Sequence, residues 1–149
     1  MRRLILASVL AAACAGHDRA PDEVRATLNA FRDAAAGRQW DSLARMYADD
    51  STFRWIENGA VVARSADQIR KYYRDLPATT TIATTYDSVE VTPLGSDAAF
   101  VTTRYRTMVR DSVRGGFAFG GLLSMTFVRR PGGWRILNGH TSSPTPHGG

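Results

Sequence analysis

The sequence predicts an α+β domain, with three N-terminal helices packed on an antiparallel sheet. Three observations carry that prediction. Apolar residues first recur at helical spacing and later fall in long strand-like runs. Turn signals separate the runs at Asn58-Gly59, Pro93-Leu94-Gly95-Ser96 and Pro131-Gly132-Gly133. The chain has 149 residues, 44% hydrophobic and 22% charged, enough for one domain with a sizeable core. No internal repeat and no second core are visible.

The elements follow in order. Pro21-Asp22-Glu23 suits a helix start, because proline fits the first helical position and acids fit the positive end of the dipole. Val24, Leu28, Phe31 and Ala35 form its apolar stripe, and Gly37 ends it. Asp41 or Ser42 caps a short second helix with Leu43, Ala44, Met46 and Tyr47. Thr52–Glu57 and Ala60–Ala63 flank Asn58-Gly59 as a hairpin. Ser65-Ala66-Asp67-Gln68 has the capping-box pattern and starts a third helix with Ile69, Tyr72, Tyr73 and Leu76, stopped by Pro77. Four strands in meander complete the domain: about Thr79–Thr92, Ala98–Arg110, Phe117–Arg130 and a last one from Gly132. Asp111–Gly116 reads as a loop, and the tail 144–149 as frayed.

The N-terminus carries a different message. Met1-Arg2-Arg3, an apolar run from Leu4 to Ala13 and small residues before Cys14 have the pattern of a secretory signal peptide over residues 1–13. The run is too short to span a membrane, which takes about 20 residues. Cys14, the only cysteine, stands where a bacterial lipobox places its lipidated residue, although Ala11 occupies the usual leucine position. Residues 14–20 then form a tether, residues 21–143 the domain, and the mature protein faces the periplasm or cell exterior. The alternative is a secreted chain cut at a nearby alanine.

The last strand is the place to look for a pocket. Side chains alternate along a strand, so Trp134 and Ile136 share a face with Asn138, His140 and Ser142. A strand that starts apolar and ends polar suits a pocket floor. His140 is the one histidine inside the expected fold, since His17 and His147 lie toward the ends, and imidazole is suited to acid–base work near neutral pH. Tyr47 and Trp55 flank the helix-to-hairpin junction and offer large apolar bodies with polar handles. Arg104 or Arg106 is a candidate for an anionic group, against the plainer expectation of an exposed arginine. Asp49 and Asp50 read as capping and turn residues. Phe117, Phe119, Gly121, Leu123, Met125 and Phe127 read as a packing stripe.

From these features the chain resembles the NTF2-like superfamily, in particular its SnoaL-like or DUF4440-type bacterial members. The residues that carry the resemblance are Gly37, Met46-Tyr47-Ala48-Asp49-Asp50, the hairpin, the Ser65-led helix and Trp134-Arg135-Ile136 with His140 and Ser142. It covers residues 21–143. The resemblance implies a curved sheet wrapped around helices into a cone with a pocket at its open end, and a homodimer formed through the sheet. It also implies either a binding domain or an enzyme, and the fold alone does not decide. Ketosteroid isomerases place a catalytic Asp where this chain has Trp55, which counts against that activity.

Composition narrows the classes further. The net charge of +5 comes almost wholly from arginine, with Lys71 the only lysine, and no basic block accompanies stacking aromatics. Nucleic-acid binding is therefore not expected. One histidine and no cysteine in the folded body leave no familiar metal-ligand spacing, and the Gly115-Gly116 and Gly120-Gly121 pairs precede no helix, so neither a metal nor a phosphate-binding cofactor is expected. The function expected is binding of a small, largely apolar molecule, with Tyr47 and Trp55 as walls and Asn138, His140 and Ser142 as polar groups. The rivals are a SnoaL-like cyclase, isomerase or hydrolase-like enzyme with His140 as acid or base, and a dimerising interaction module without ligand.

Overall fold

The structure, a computed structural model, describes the backbone of residues 7–143 and side chains from residue 19 onward. The Cys14 side chain, the first residues of the expected signal peptide and the tail lie outside the described residues. Three helices, α1 (Ala7–Ala36), α2 (Trp40–Ala44) and α3 (Ala66–Arg74), accompany six strands: β1 (Arg54–Glu57), β2 (Ala60–Ala63), β3 (Thr80–Pro93), β4 (Ala98–Asp111), β5 (Gly115–Arg130) and β6 (Gly133–Ser142). The strands form one sheet in the order β2-β1-β6-β5-β4-β3.

The expected α+β architecture is what the chain adopts, with the four-strand meander intact and every joint in it antiparallel. One joint is different: β1 pairs parallel to β6, which makes the sheet mixed. That joint is prepared upstream, where Tyr47 bridges Ile136 and the 46–48 backbone exchanges bonds of 2.8 Å with both sides of that residue. Asn58 and Gly59 both have positive φ, as a type I′ turn requires, so the hairpin signal is met.

The helices depart from expectation in three places. α1 does not start at Pro21 but runs through it from Ala7, because the alanine-rich segment before the proline favours helix strongly enough to absorb one missing hydrogen bond. Its C-terminus is a Schellman motif in which Gln39 N–H donates to Ala34 O and Arg38 N–H to Ala35 O. Arg38, not Gly37, takes the left-handed position, at φ 55°. The guanidinium compensates by donating to the carbonyls of Ala78 and Thr80, so α1's end is tied to the start of β3. α2 begins at Trp40 without any side-chain cap, one residue before the expected Asp41 or Ser42. α3 matches its signal: Ser65 Oγ accepts from Gln68 N–H while Gln68 Oε1 accepts from Arg64 N–H.

The α1 stripe lies across the inner face of the sheet. Val24 and Leu28 are fully buried with Val101, Met125, Phe127 and Ile136, and removing each such side chain from water is worth about 1.5–3 kcal/mol. At this closed end Glu23 accepts from both Arg129 (2.7 Å) and Trp134 Nε1 (3.0 Å), and Arg129 sits 4.5 Å over the indole.

Two further features bend the sheet. β3 carries a bulge between Asp87 and Glu90, with Ser88 at φ 56°. In β5, Gly120 and Gly121 run so close to neighbouring backbone that a Cβ would stand 2.4 Å from Tyr105 O and 1.9 Å from Ser142 O. Bulges and close-approach glycines are the usual means of curving a sheet. The result is a cone closed at the Trp134 end and open at the β4–β5 turn.

Candidate functional site

Between α1, α3 and the inner sheet face lies a cavity of about 800 Å³. That is within the range of small-molecule pockets. Its wall is aromatic. Phe31 comes from α1, Tyr47 from the segment after α2, Trp55 from β1, Tyr73 from α3 and Tyr86 from β3. Tyr47 meets Phe31, Phe53 and Trp55 edge-on at 5.6–6.0 Å between ring centres. Trp40 stacks on the far side of Tyr73 at 5.5 Å and 10°, which fixes the ring without closing the cavity.

Trp55 reaches into this space because of the residue beneath it. A Cβ at Gly139, the directly opposite position on β6, would lie 2.0 Å from Cζ3 of the indole. The ring therefore occupies the volume that any side chain at 139 would need. Its Nε1–H donates to Glu57 Oε1 at 3.0 Å, two residues along the same strand face.

The polar groups of the wall are few. The Tyr47 and Tyr73 hydroxyls are 3.3 Å apart. Burial pushes the Tyr47 hydroxyl well above the usual phenol range, with Tyr73 adding to it, and raises Tyr73 to about 12. Tyr86 is raised by burial as well. At neutral pH these hydroxyls are protonated: they donate hydrogen bonds and do not act as bases. Thr84 and Thr107 share a hydrogen bond of 2.9 Å across β3 and β4. Asp111 also borders the cavity, but it is occupied. It accepts from the Thr79 and Thr80 hydroxyls and from the Val113 and Arg114 amides. These bonds, that of Thr79 first, hold its carboxyl down to about 2.

The expected site residues divide between the two sides of the sheet. Tyr47 and Trp55 line the cavity. Asn138, His140 and Ser142 do not share the face of Trp134 and Ile136. Phe127 pairs with Ile136 but Thr126 pairs with Asn138, so Leu137 is an extra residue in a bulge. One extra residue reverses every later side chain. Beyond it Gly139 is buried and Thr141 lines the cavity, while His140 and Ser142 are exposed on the convex face. Asn138 has a structural task there: its Oδ1 accepts from Arg54 N–H at 2.9 Å where β1 joins the sheet. Arg104 and Arg106 are likewise exposed on the convex face, opposite the buried Thr103 and Tyr105.

Other expectations fare differently. Asp50 does turn chemistry: it accepts from Thr52 N–H and Oγ1 and pairs with Arg130. The β5 stripe is packing only in its second half. Leu123, Met125 and Phe127 are buried, but Phe117 and Phe119 are exposed at the cavity mouth. Sequence reasoning missed Glu57, Tyr73 and Tyr86 as wall residues. Glu57 was accessible by strand alternation from Trp55, whereas the two tyrosines needed the helix-on-sheet docking. Among the described residues no group of histidine, cysteine and acidic side chains has a metal-binding arrangement, and no helix is long and apolar enough to cross a membrane.

A curved sheet wrapped on three helices, with a cavity opening at the wide end, defines an NTF2-like α+β cone. The family model for the SnoaL-like domain matches residues 24–146, and the chain belongs to that family. Solved structures share the fold at low identity. One is a provisionally named scytalone dehydratase from Novosphingobium aromaticivorans, with TM-score 0.78, 11% identity and 89% of each chain covered. Another is an NTF2-like superfamily protein from Salmonella enterica, with TM-score 0.70, 19% identity, and 85% of this chain and 92% of that one covered. A ketosteroid isomerase-like protein from Erwinia carotovora matches with TM-score 0.65, 19% identity, and 84% and 96% covered. No curated protein matches the chain.

Proposed function

We propose that this domain binds a small, largely apolar molecule in its cone. The observation that carries the reading is the cavity of about 800 Å³ itself, walled by aromatic rings and lined by two hydroxyl pairs, Tyr47 with Tyr73 and Thr84 with Thr107. Aromatic walls contribute apolar contact, and a few placed donors fix orientation. Of the two O–H groups in the tyrosine pair one is used within the pair, which leaves one to donate to an oxygen of the ligand. A domain serving only as an interaction module would be expected to fill this space with its own side chains. An enzyme that uses His140 is disfavoured by the exposure of that residue on the opposite face. The solved relatives named for dehydratase and isomerase keep the enzymatic reading as the alternative, with cavity-wall groups in place of His140.

The experiment is native mass spectrometry of the purified protein without added ligand. A defined adduct mass that is lost in Tyr73→Trp, which narrows the cavity and removes one hydroxyl of the tyrosine pair, supports the reading. Absence of an adduct, together with no thermal stabilisation by any member of a library of small aromatic and alicyclic compounds, would overturn it. The same spectrum reads two proposals that rest on the N-terminal sequence and the family resemblance. Export with lipidation predicts that the chain begins at Cys14 with a diacylglycerol mass, and sheet-to-sheet pairing predicts a homodimer.

A further inference from the structure

This inference rests on the reading of the cone as a ligand site. We propose that the ligand is an organic cation, an ammonium-bearing molecule whose apolar body lies along the aromatic wall while its charged head sits in the corner of Tyr47 and Trp55, beside the Glu57 carboxylate.

The positive charge of the chain is kept away from the inner cavity wall. The protein has 19 arginine and lysine residues. Among the described residues that line the cavity, only Arg114 is basic, and it belongs to the turn at the mouth. An arginine-rich protein that bound an anion would be expected to spend at least one guanidinium inside, since that group matches carboxylate and phosphate geometry. Here Arg104, Arg106 and Arg110 alternate onto the convex face instead.

Glu57 is on the cavity wall, and its Oε1 is oriented by the Trp55 indole at 3.0 Å. Among the described residues no arginine, lysine or histidine lies within ion-pair distance of it, whereas the other cavity carboxylate, Asp111, is engaged by two hydroxyls and two amides. Oε2 of Glu57 is thus a solvent-facing charged acceptor with no basic side chain paired to it among the described residues. Burial is the main cause of the raised Tyr47 and Tyr73 hydroxyls, and the Glu57 charge adds a smaller push in the same direction.

The rings of Tyr47 and Trp55 meet at 81° with centres 6.0 Å apart, forming a corner beside that carboxylate. Ring faces attract cations, tryptophan most strongly, so an ammonium group recovers in such a corner part of the hydration it loses, which an aliphatic corner does not return. A neutral ligand would use the rings but leave Glu57 unanswered. An anion would meet Glu57, with Arg114 at the mouth the one basic side chain among the described residues lining the cavity.

The test uses a matched pair of probes, benzyltrimethylammonium and its uncharged isostere neopentylbenzene. The indole N–H resonance of Trp55, identified by its loss in Trp55→Phe, reports binding at the site itself. The expected result is a cation affinity about 3- to 30-fold above that of the isostere. Glu57→Gln should lower the cation affinity about threefold and leave the isostere unchanged, and Glu57→Lys should abolish the preference. Glu57 is exposed, so both variants should fold. Equal or tighter binding of neopentylbenzene, or a cation preference untouched in Glu57→Gln, would overturn the cation inference while leaving the cone a ligand site. A Trp55 resonance that neither probe moves would count against both.

Discussion

Gly139→Ala is the substitution that examines the site most directly. The methyl group would appear 2.0–2.7 Å from three atoms of the Trp55 benzo ring, far inside van der Waals contact. Gly139 is buried in the middle of β6, hydrogen-bonded between β1 and β5, so the backbone has little room to retreat. The indole must move instead, and it gives up its hydrogen bond to Glu57 and its edge contact with Tyr47. Overpacking of this kind costs about 1–3 kcal/mol. For a domain of this size that corresponds to a fall in Tm of about 4–12 °C, read by calorimetry. The reasoning makes a second, sharper demand. In a Trp55→Ala background the obstacle is gone, and Gly139→Ala should be neutral or slightly stabilising, because alanine restricts the unfolded strand more than glycine does. The two substitutions should therefore couple by about 1–3 kcal/mol in a double-mutant cycle. Additive effects, or a Gly139→Ala protein with unchanged Tm and unchanged tryptophan emission, would refute the packing of Trp55 on the sheet.

Three further predictions follow from the same wall and its surroundings. Tyr47→Phe or Tyr73→Phe alone leaves one buried hydroxyl without its partner and should cost about 1–2 kcal/mol in denaturant titration, while the double variant should cost less than the sum. Stability should fall in acid, because the carboxyls of Glu23 (held by Trp134, then Arg129), Asp50 (by Thr52) and Asp111 (by Thr79) are lowered in the folded state; their contribution is present above their ordinary values and is lost as pH falls, for Asp111 through about 2. The alkaline limb has the opposite sign: Tyr73, raised to about 12, favours the fold fully below the ordinary phenol value and loses that contribution as pH rises through 12, so Tm against pH should drop on both sides and Asp111→Asn should flatten the acid side. His140→Ala should change neither ligand retention nor stability beyond about 0.5 kcal/mol, whereas Thr141→Trp, one residue on, should intrude into the cavity and lower ligand retention in the native mass spectrum.

How far the sequence carries depends on how local the determining physics is. The α1 stripe, the Asn58-Gly59 hairpin and the Ser65 capping box were all legible because each is fixed by residues within a few positions of one another. The end of α1 was legible in place but not in residue. Arg38 takes a conformation that glycine would be expected to supply, and it does so because Ala78 and Thr80, some forty residues away, accept its guanidinium hydrogen bonds. The parallel joint of β1 to β6 was not legible at all, since a four-residue strand far from its partner in sequence gives no periodic sign of which strand it will pair with.

The site shows the same rule in its most consequential form. Trp134, Ile136, Asn138, His140 and Ser142 have unbroken alternation in the sequence, and period two is the right reading for any regular strand. The reading fails at a single residue, Leu137, which the structure places in a bulge. What demands the bulge is the junction of three strands: Met46 and Ala48 bond Ile136 on one edge, and eight residues after Met46 the chain comes back as β1 to take up pairing at Asn138. The Asn138 side chain supplies the acceptor for Arg54 N–H at the place where the ladder changes partner. Asparagine is disfavoured inside strands, and directly after Ile136-Leu137 it marks broken pairing rather than a pocket group. Taken that way, the parity beyond it reverses, Gly139 and Thr141 turn inward, and the glycine explains how an indole as large as that of Trp55 can lie against the sheet. The polar groups that face the cone are then not His140 but Glu57 and the tyrosine and threonine hydroxyls, the set on which the proposed binding of a cation rests.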